Sequence, residues 1–118
     1  MTYKDITEYI NSLYPSEYTS QELRSWIREV NADMLRNIEK NNKPAFIPQE
    51  SEQVLIPAPY DDMYRFYLLA QIAYAQRDFD LYNRHISAYQ ARRNDYMGYY
   101  LRTVGQKQRT KFKNWIGG

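Results

Sequence analysis

Residues 60–100 read YDDMYRFYLLAQIAYAQRDFDLYNRHISAYQARRNDYMGYY, and tyrosines recur in this stretch at spacings of three, four and seven residues. Two such segments are joined by a short polar link, Gln76-Arg77-Asp78. Side chains at these spacings lie on one face of an α-helix. The stretch therefore predicts a long antiparallel helical hairpin with an aromatic seam, formed by Tyr60, Tyr64, Tyr67 and Tyr74 against Tyr82, Tyr89, Tyr96 and Tyr100.

Tyrosine combines an apolar ring with a polar tip, so it suits surfaces that become buried when proteins assemble. The chain of 118 residues is one domain by length. A domain of this size buries a small share of its surface, and we expect subunit contacts to add to its stability. This pattern favours an interaction protein over an enzyme.

Two further helices are predicted before residue 43. The first runs from Tyr3 to Leu13, with Thr2 and Asp5 spaced as a capping pair and Pro15 ending it. The second follows the capping signal of Thr19 and Glu22 and should fray near Asn41-Asn42. Its apolar stripe is Leu23, Trp26, Ile27, Val30, Met34 and Ile38.

Residues 43–59 contain four of the five prolines and interrupt the helical pattern. They predict an extended loop or a small β-hairpin between helices two and three. Two alternatives stay open: the segment covers its own core, or it is an arm that reaches a neighbouring subunit. In the second case the subunit interface holds the apolar side chains Phe46, Ile47, Val54, Leu55 and Ile56.

Helix three should begin at Tyr60, and helix four should run from Asp78 to about Arg102, weakened by Gly98. The predicted fold is thus an all-α, four-helix domain at residues 1–102. A basic C-terminal tail is predicted at residues 103–118, with Gly105 near its start. Residues 101–118 contain five basic residues and no acid, which leaves residues 1–100 with 11 basic and 14 acidic side chains. Two interpretations of the tail stay open: it is a disordered, solubilising terminus, or it is disordered in the free protein and orders on a negatively charged partner surface.

The sequence contains no motif that indicates catalysis or metal binding. The chain has no cysteine and one histidine, His85, so a zinc site is improbable. It has no glycine-rich phosphate loop and no nucleophile elbow. No apolar run approaches the ~18 residues of a membrane span, and the N-terminus has no apolar stretch of a signal peptide. We expect a soluble protein that is not an enzyme, binds no cofactor and has no membrane partner.

Two stretches carry a resemblance to a known family. They are YPSEYTSQELRSWIREVNAD at residues 14–33 and VLIPAPYDDMYRFYLLAQIAY at residues 54–74, continued by DLYNR at residues 80–84. They resemble the small head-to-tail connector proteins of tailed phages and prophages of Gram-positive bacteria. Asn31 stands where this pattern commonly has an acid.

The resemblance implies a helical adaptor in the virion neck, made in the host cytoplasm, that forms a ring of about a dozen subunits around the DNA channel. Its expected partners are the portal protein and other neck or tail-completion proteins. The resemblance does not cover the tail beyond Arg102. From the composition of the tail we expect it to meet the portal through Arg102, Lys107, Arg109, Lys111, Phe112, Lys113, Trp115 and Ile116.

A second hypothesis is a small helical nucleic-acid-binding or regulatory protein that acts through the basic tail. Lysine and arginine side chains neutralise phosphates without reading sequence, so the tail could make nonspecific DNA contacts. Arg84, Arg92 and Arg93 could add to such a surface, but pairing with carboxylates such as Asp80 and Asp95 is the favoured interpretation for them. The sequence leaves open the ring order and the face that meets each partner.

Overall fold

The computed structural model describes residues 1–40 and 52–117, with side chains described as far as Val104. Its α-helices are α1 at Tyr3–Leu13, α2 at Ser20–Asp33, α3 at Met63–Ala75 and α4 at Phe79–Gly117. A π-helical turn at Met34–Ile38 follows α2, and a 3₁₀ turn at Tyr60–Asp62 precedes α3. Within the described ranges β-structure is limited to one isolated bridge between Thr2 and Gln53. The predicted all-α fold with four helices is confirmed.

The starts of the first two helices follow from their capping residues. The Thr2 hydroxyl accepts a hydrogen bond of 3.3 Å from the Asp5 N–H, and the Asp5 carboxylate accepts one of 2.8 Å from the Thr2 N–H. This is the reciprocal capping box that satisfies two free backbone donors. Thr19 caps α2 through its hydroxyl alone, which accepts a hydrogen bond of 3.1 Å from the Glu22 N–H.

The end of α2 differs from the sequence expectation. Regular α-helix stops at Asp33, and the next five residues widen into the π-helical turn. A π-turn carries an extra residue and so rotates the side chains that follow it. Here it buries Met34, Leu35 and Ile38 together against the core.

The α3–α4 hairpin is antiparallel and its register is visible in three tyrosine pairs. Ring centroids lie 5.7 Å apart for Tyr60 and Tyr96, 5.1 Å for Tyr67 and Tyr89, and 5.4 Å for Tyr74 and Tyr82. Residue numbers rise by seven along α3 and fall by seven along α4, as two antiparallel helices in register require. The predicted aromatic seam is confirmed by these pairs.

The turn of the hairpin is short and well capped. Arg77 adopts a left-handed backbone conformation with φ of 59°, which reverses the chain after α3. The Asp78 carboxylate accepts a hydrogen bond of 3.2 Å from the Leu81 N–H, as expected of an N-cap.

Helix α4 does not end near Arg102 as predicted. It continues through Gly98 and Gly105 to Gly117, a length of 39 residues. One glycine costs about 1 kcal/mol in a helix, and the residues that follow Gly105 (Gln106, Lys107, Gln108 and Arg109) have high helix propensity. The prediction that helix four ends near Arg102 and is followed by a disordered tail is therefore wrong for the backbone. The division into a domain at 1–102 and a binding tail at 103–118 stays a prediction.

The core lies where α1, α2 and α3 meet, with α4 covering one side. Its fully buried side chains include Ile6, Ile10, Leu23, Ile27, Val30, Met63, Leu68 and Ile72. From the predicted stripe of α2, Trp26 is the exception, since it is only partly buried and packs at the rim of this core.

Candidate interaction surfaces

A buried polar cluster joins three elements at the centre of the domain. The Asn31 side-chain amide donates to the Tyr3 hydroxyl at 3.0 Å, and the Tyr64 hydroxyl donates to Asn31 Oδ1 at 2.6 Å. The rings of Tyr3 and Tyr64 meet edge to face, with centroids 6.0 Å apart. Asn31 is completely buried, and an amide suits this position because it is neutral and both donates and accepts.

The same two tyrosines hold the segment that follows residue 51. Leu55 N–H donates to the Tyr3 hydroxyl at 3.2 Å, and Ile56 N–H donates to the Tyr64 hydroxyl at 3.4 Å. Burial, followed by the neighbouring Tyr3, raises the pKa of Tyr64 well above its usual range. Its hydroxyl therefore stays protonated and keeps its donated bond to Asn31.

These bonds correct the predicted role of residues 54–56. Ile56 is completely buried in the core of its own chain, so its assignment to a subunit interface is wrong. Val54 and Leu55 are half-buried against the same core. Tyr3 N–H also donates to Glu52 O at 3.2 Å, and Val54 N–H to Met1 O at 3.1 Å. Residues 52–56 thus cover their own core, while Phe46 and Ile47 lie outside the described residues.

A second polar cluster ties α4 to the end of α2. Arg93 donates to both carboxylate oxygens of Asp33, at 2.7 and 3.0 Å, and the Tyr89 hydroxyl donates to Asp33 at 2.8 Å. Asn37 in the π-helical turn donates to the other oxygen at 2.7 Å. Burial raises the pKa of Asp33, but the bonds from Arg93, Asn37 and Tyr89 outweigh it, so the pKa lies below its usual value.

Two arginines of α4, Arg92 and Arg93, are engaged within the domain. Arg92 pairs with Asp62 at 2.9 Å and with Asp95 at 3.6 Å, and Arg93 pairs with Asp33 as described. This agrees with the favoured interpretation that these arginines pair with carboxylates. His85 is half-buried, and burial followed by the charge of Arg84 lowers its pKa, which keeps the imidazole neutral at pH 7.

Two exposed aromatic surfaces lie at opposite ends of the hairpin. The first, the tip patch, consists of Tyr74, Phe79 and Tyr82; Tyr74 is 59% and Phe79 54% exposed. The Tyr74 ring lies 5.8 Å from that of Phe79, so the exposed rings form one cluster. The tip patch lies beside the turn that joins α3 and α4.

The second surface, the α4 patch, consists of Tyr60 and Tyr99. Tyr99 is 39% exposed, and the Tyr60 and Tyr99 rings lie 5.3 Å apart. Burial, together with Glu39 nearby, raises the pKa of the adjoining Tyr96 to about 12. Arg102 is exposed at the edge of this patch. The other predicted tail residues, from Lys107 to Ile116, lie beyond the described side chains.

Sequence reasoning missed two parts of this arrangement. It predicted the aromatic seam but not that Tyr74, next to the last residue of α3, is 59% exposed. It also missed the Asp33–Arg93 pair, which joins residues 60 positions apart. The available signal was Asp33, the lone acid among the five residues that follow Val30.

Comparison with protein-family models, with curated proteins and with solved structures found no match. Over the described part of the chain, no helix has the length and apolar character needed to cross a membrane. Among those same residues, no group of three or more histidine, cysteine or acidic side chains is placed to hold a metal ion.

Proposed function

We propose that this chain is a structural virion protein, the subunit of a ring-forming head-to-tail adaptor that docks to the portal around the DNA channel. The observation that supports the proposal best is the pair of exposed aromatic patches on one helical hairpin. The resemblance of residues 14–33 and 54–84 to phage connector proteins supplies the biological setting.

The two patches are different surfaces of the same chain. Phe79 and Tyr99 are twenty residues apart on α4, which places the tip patch and the α4 patch about 30 Å apart along the hairpin. Exposed apolar clusters are typical of protein-binding surfaces. Contacts between two different patches are heterologous, and they close into a ring when the rotation per subunit permits.

Contacts within the domain also fix the positions of the two patches relative to each other. Three tyrosine pairs join α3 to α4, and the Asp33–Arg93 pair joins α4 to α2. A ring subunit benefits from this arrangement, because two patches fixed relative to each other define one rotation angle for every neighbour.

Purified particles provide the test. Quantitative mass spectrometry of the particles should find the chain at a fixed ratio to the portal protein, and a reconstruction of the neck should place it directly below the portal. Absence of the chain from intact particles would contradict the proposal. If the free chain then bound DNA in a strongly salt-dependent manner, the nucleic-acid hypothesis would be favoured instead.

A further inference from the structure

The turn between α1 and α2 forms an aromatic and acidic surface that the functions above do not use. We call it the α1–α2 corner, made of Leu13, Tyr14, Glu17, Tyr18, Glu22 and Trp26. Ring centroids lie 6.3 Å apart for Tyr14 and Tyr18, and 5.6 Å apart for Tyr18 and Trp26. Leu13 is 50% exposed and the three rings are partly buried, so the corner presents an open apolar face.

The charge of this corner is negative. Glu17 and Glu22 are exposed, and both lie close enough to Tyr18 to add to the effect of burial in raising the pKa of that hydroxyl. A groove of about 450 Å³ adjoins the corner, lined by Thr19, Gln21, Glu22, Ser25 and Trp26. Glu22 supplies the charge among these lining residues. Arg24 and Arg28 line an adjoining groove that shares Gln21 and Ser25 with the first.

A basic segment that also carries apolar side chains is the complement of this surface. Lysine and arginine are attracted to the faces of tryptophan and tyrosine, and their charges pair with carboxylates. Residues 103–118 have this composition: four basic residues, no acid, and the aromatic residues Phe112 and Trp115. The chain thus contains both a surface and a segment that fits it.

The topology separates the two within one subunit. Helix α2 runs antiparallel to α3, since Glu29 accepts from Tyr67 whereas Asn31 accepts from Tyr64. Tyr67 is nearer than Tyr64 to the hairpin turn, so going backward along α2 leads toward the hairpin tip. The corner is therefore near the tip, while α4 leaves the domain at the opposite end. Residues 105–117 extend that helix by about a further 20 Å.

We infer that the α1–α2 corner binds the basic C-terminal segment, residues 103–118, of a second copy of the chain. This contact joins the head of one subunit to the tail of the next, which is a heterologous contact of the kind that closes a ring. It deepens the proposed function by supplying a ring contact, and it assigns the tail to the neighbouring subunit rather than to the portal expected from the sequence.

Carbodiimide cross-linking of the full-length protein tests the contact directly. Equal amounts of ¹⁴N-labelled and ¹⁵N-labelled protein are mixed, allowed to exchange, cross-linked and digested for mass spectrometry. We expect links from Glu17 and Glu22 to Lys107, Lys111 and Lys113, with about half of them joining a light peptide to a heavy one. Links that join only peptides of the same isotope would show contact within one chain and would overturn the inference. An absence of links between corner and tail at every protein concentration would overturn it as well.

Charge variants provide the second measurement. Combining Glu17→Gln with Glu22→Gln should weaken self-association about three- to tenfold in sedimentation experiments, because each exposed ion pair contributes modestly. The matched control combines Glu8→Gln with Glu52→Gln, which removes two exposed charges elsewhere and should leave association unchanged. Equal loss of association in both double variants would show that the effect comes from net charge alone, and it would overturn the inference.

The result of these experiments is independent of the result of the particle experiment that tests the proposed function. Mixed-isotope links in a protein that is absent from particles would support the contact and contradict the adaptor. A protein found below the portal in particles, but without corner-to-tail links, would support the adaptor and contradict the contact.

Discussion

Tyr67 and Tyr89 face each other across the α3–α4 hairpin with ring centroids 5.1 Å apart, and the hydroxyl of each donates to an acid on α2. Tyr67 donates to Glu29 and Tyr89 donates to Asp33. Glu29 and Asp33 are four residues apart, so they lie on one face of α2. One tyrosine pair therefore closes the hairpin with its rings and fastens α2 with its hydroxyls.

Removing the Tyr89 hydroxyl should weaken this attachment without disturbing the hairpin. Tyr89→Phe keeps the ring and loses the hydrogen bond to a charged carboxylate, so we expect it to lower the free energy of unfolding by about 1–3 kcal/mol. Urea denaturation measures the change. Tyr74→Phe, whose ring is 59% exposed, serves as control and should stay within about 0.5 kcal/mol of the parent. Equal effects in the two variants would contradict the role assigned to Tyr89.

Burial ranks the isoleucines of the hairpin. Ile72 is completely buried in the core, whereas Ile86 is only partly buried against it. Ile72→Ala should therefore cost about 2–5 kcal/mol of stability, and Ile86→Ala clearly less. Thermal unfolding of the two variants side by side checks the order. An Ile86→Ala protein that melts below the Ile72→Ala protein would reverse the orientation of α4.

Stability should fall in acid partly through Asp33. Its pKa in the folded protein lies below the ordinary value of 3.8, so its contribution is present above that value and is lost as the pH falls through the lower folded pKa. Asp33→Asn lacks this contribution, and the stability difference between parent and variant should shrink below about pH 4. Urea midpoints between pH 7 and pH 3 measure it, with Asp95→Asn, an exposed carboxyl, as control. A difference that stays constant down to pH 3 would exclude Asp33 as the titrating group.

The sequence predicted most of the fold because its signals are local. Capping pairs at Thr2–Asp5 and Thr19–Glu22 and the heptad spacing of tyrosines depend on residues within a turn or two of one another. Local propensity failed at Gly105, where one unfavourable residue is outweighed by its helical neighbours. It also could not foresee the π-helical turn after Asp33, because that turn is stabilised by burial of Met34, Leu35 and Ile38.

Less of the candidate site than of the fold could be predicted from the sequence. Val54, Leu55 and Ile56 are apolar whether they meet their own core or a neighbour, and the sequence left both alternatives open. Their hydrogen bonds to Tyr3 and Tyr64 decide between these alternatives, and such partners are distant along the chain. The exposure of Tyr74 and Phe79 could not be predicted either, because it depends on the three-dimensional position of the turn between α3 and α4.

The tip patch should matter for assembly and not for folding. Phe79 is 54% exposed and belongs to none of the tyrosine pairs that join the hairpin, so Phe79→Ser should change the free energy of unfolding little. The variant should nevertheless self-associate more weakly, because exposed aromatic clusters supply anchor residues at interfaces. Sedimentation and urea denaturation of the same preparation separate the two effects. Unchanged association in a folded variant would remove the tip patch from the ring contact.

The most direct test of the ring is the mass of the assembled protein, measured by native mass spectrometry over a range of protein concentrations. The chain has a mass of 14.3 kDa, so a ring of about a dozen subunits would have a mass of roughly 170 kDa. We expect a closed species near that mass, alone or with the portal protein added, that grows no further as the protein is concentrated. Only monomers and dimers at every concentration, with and without the portal, would contradict it.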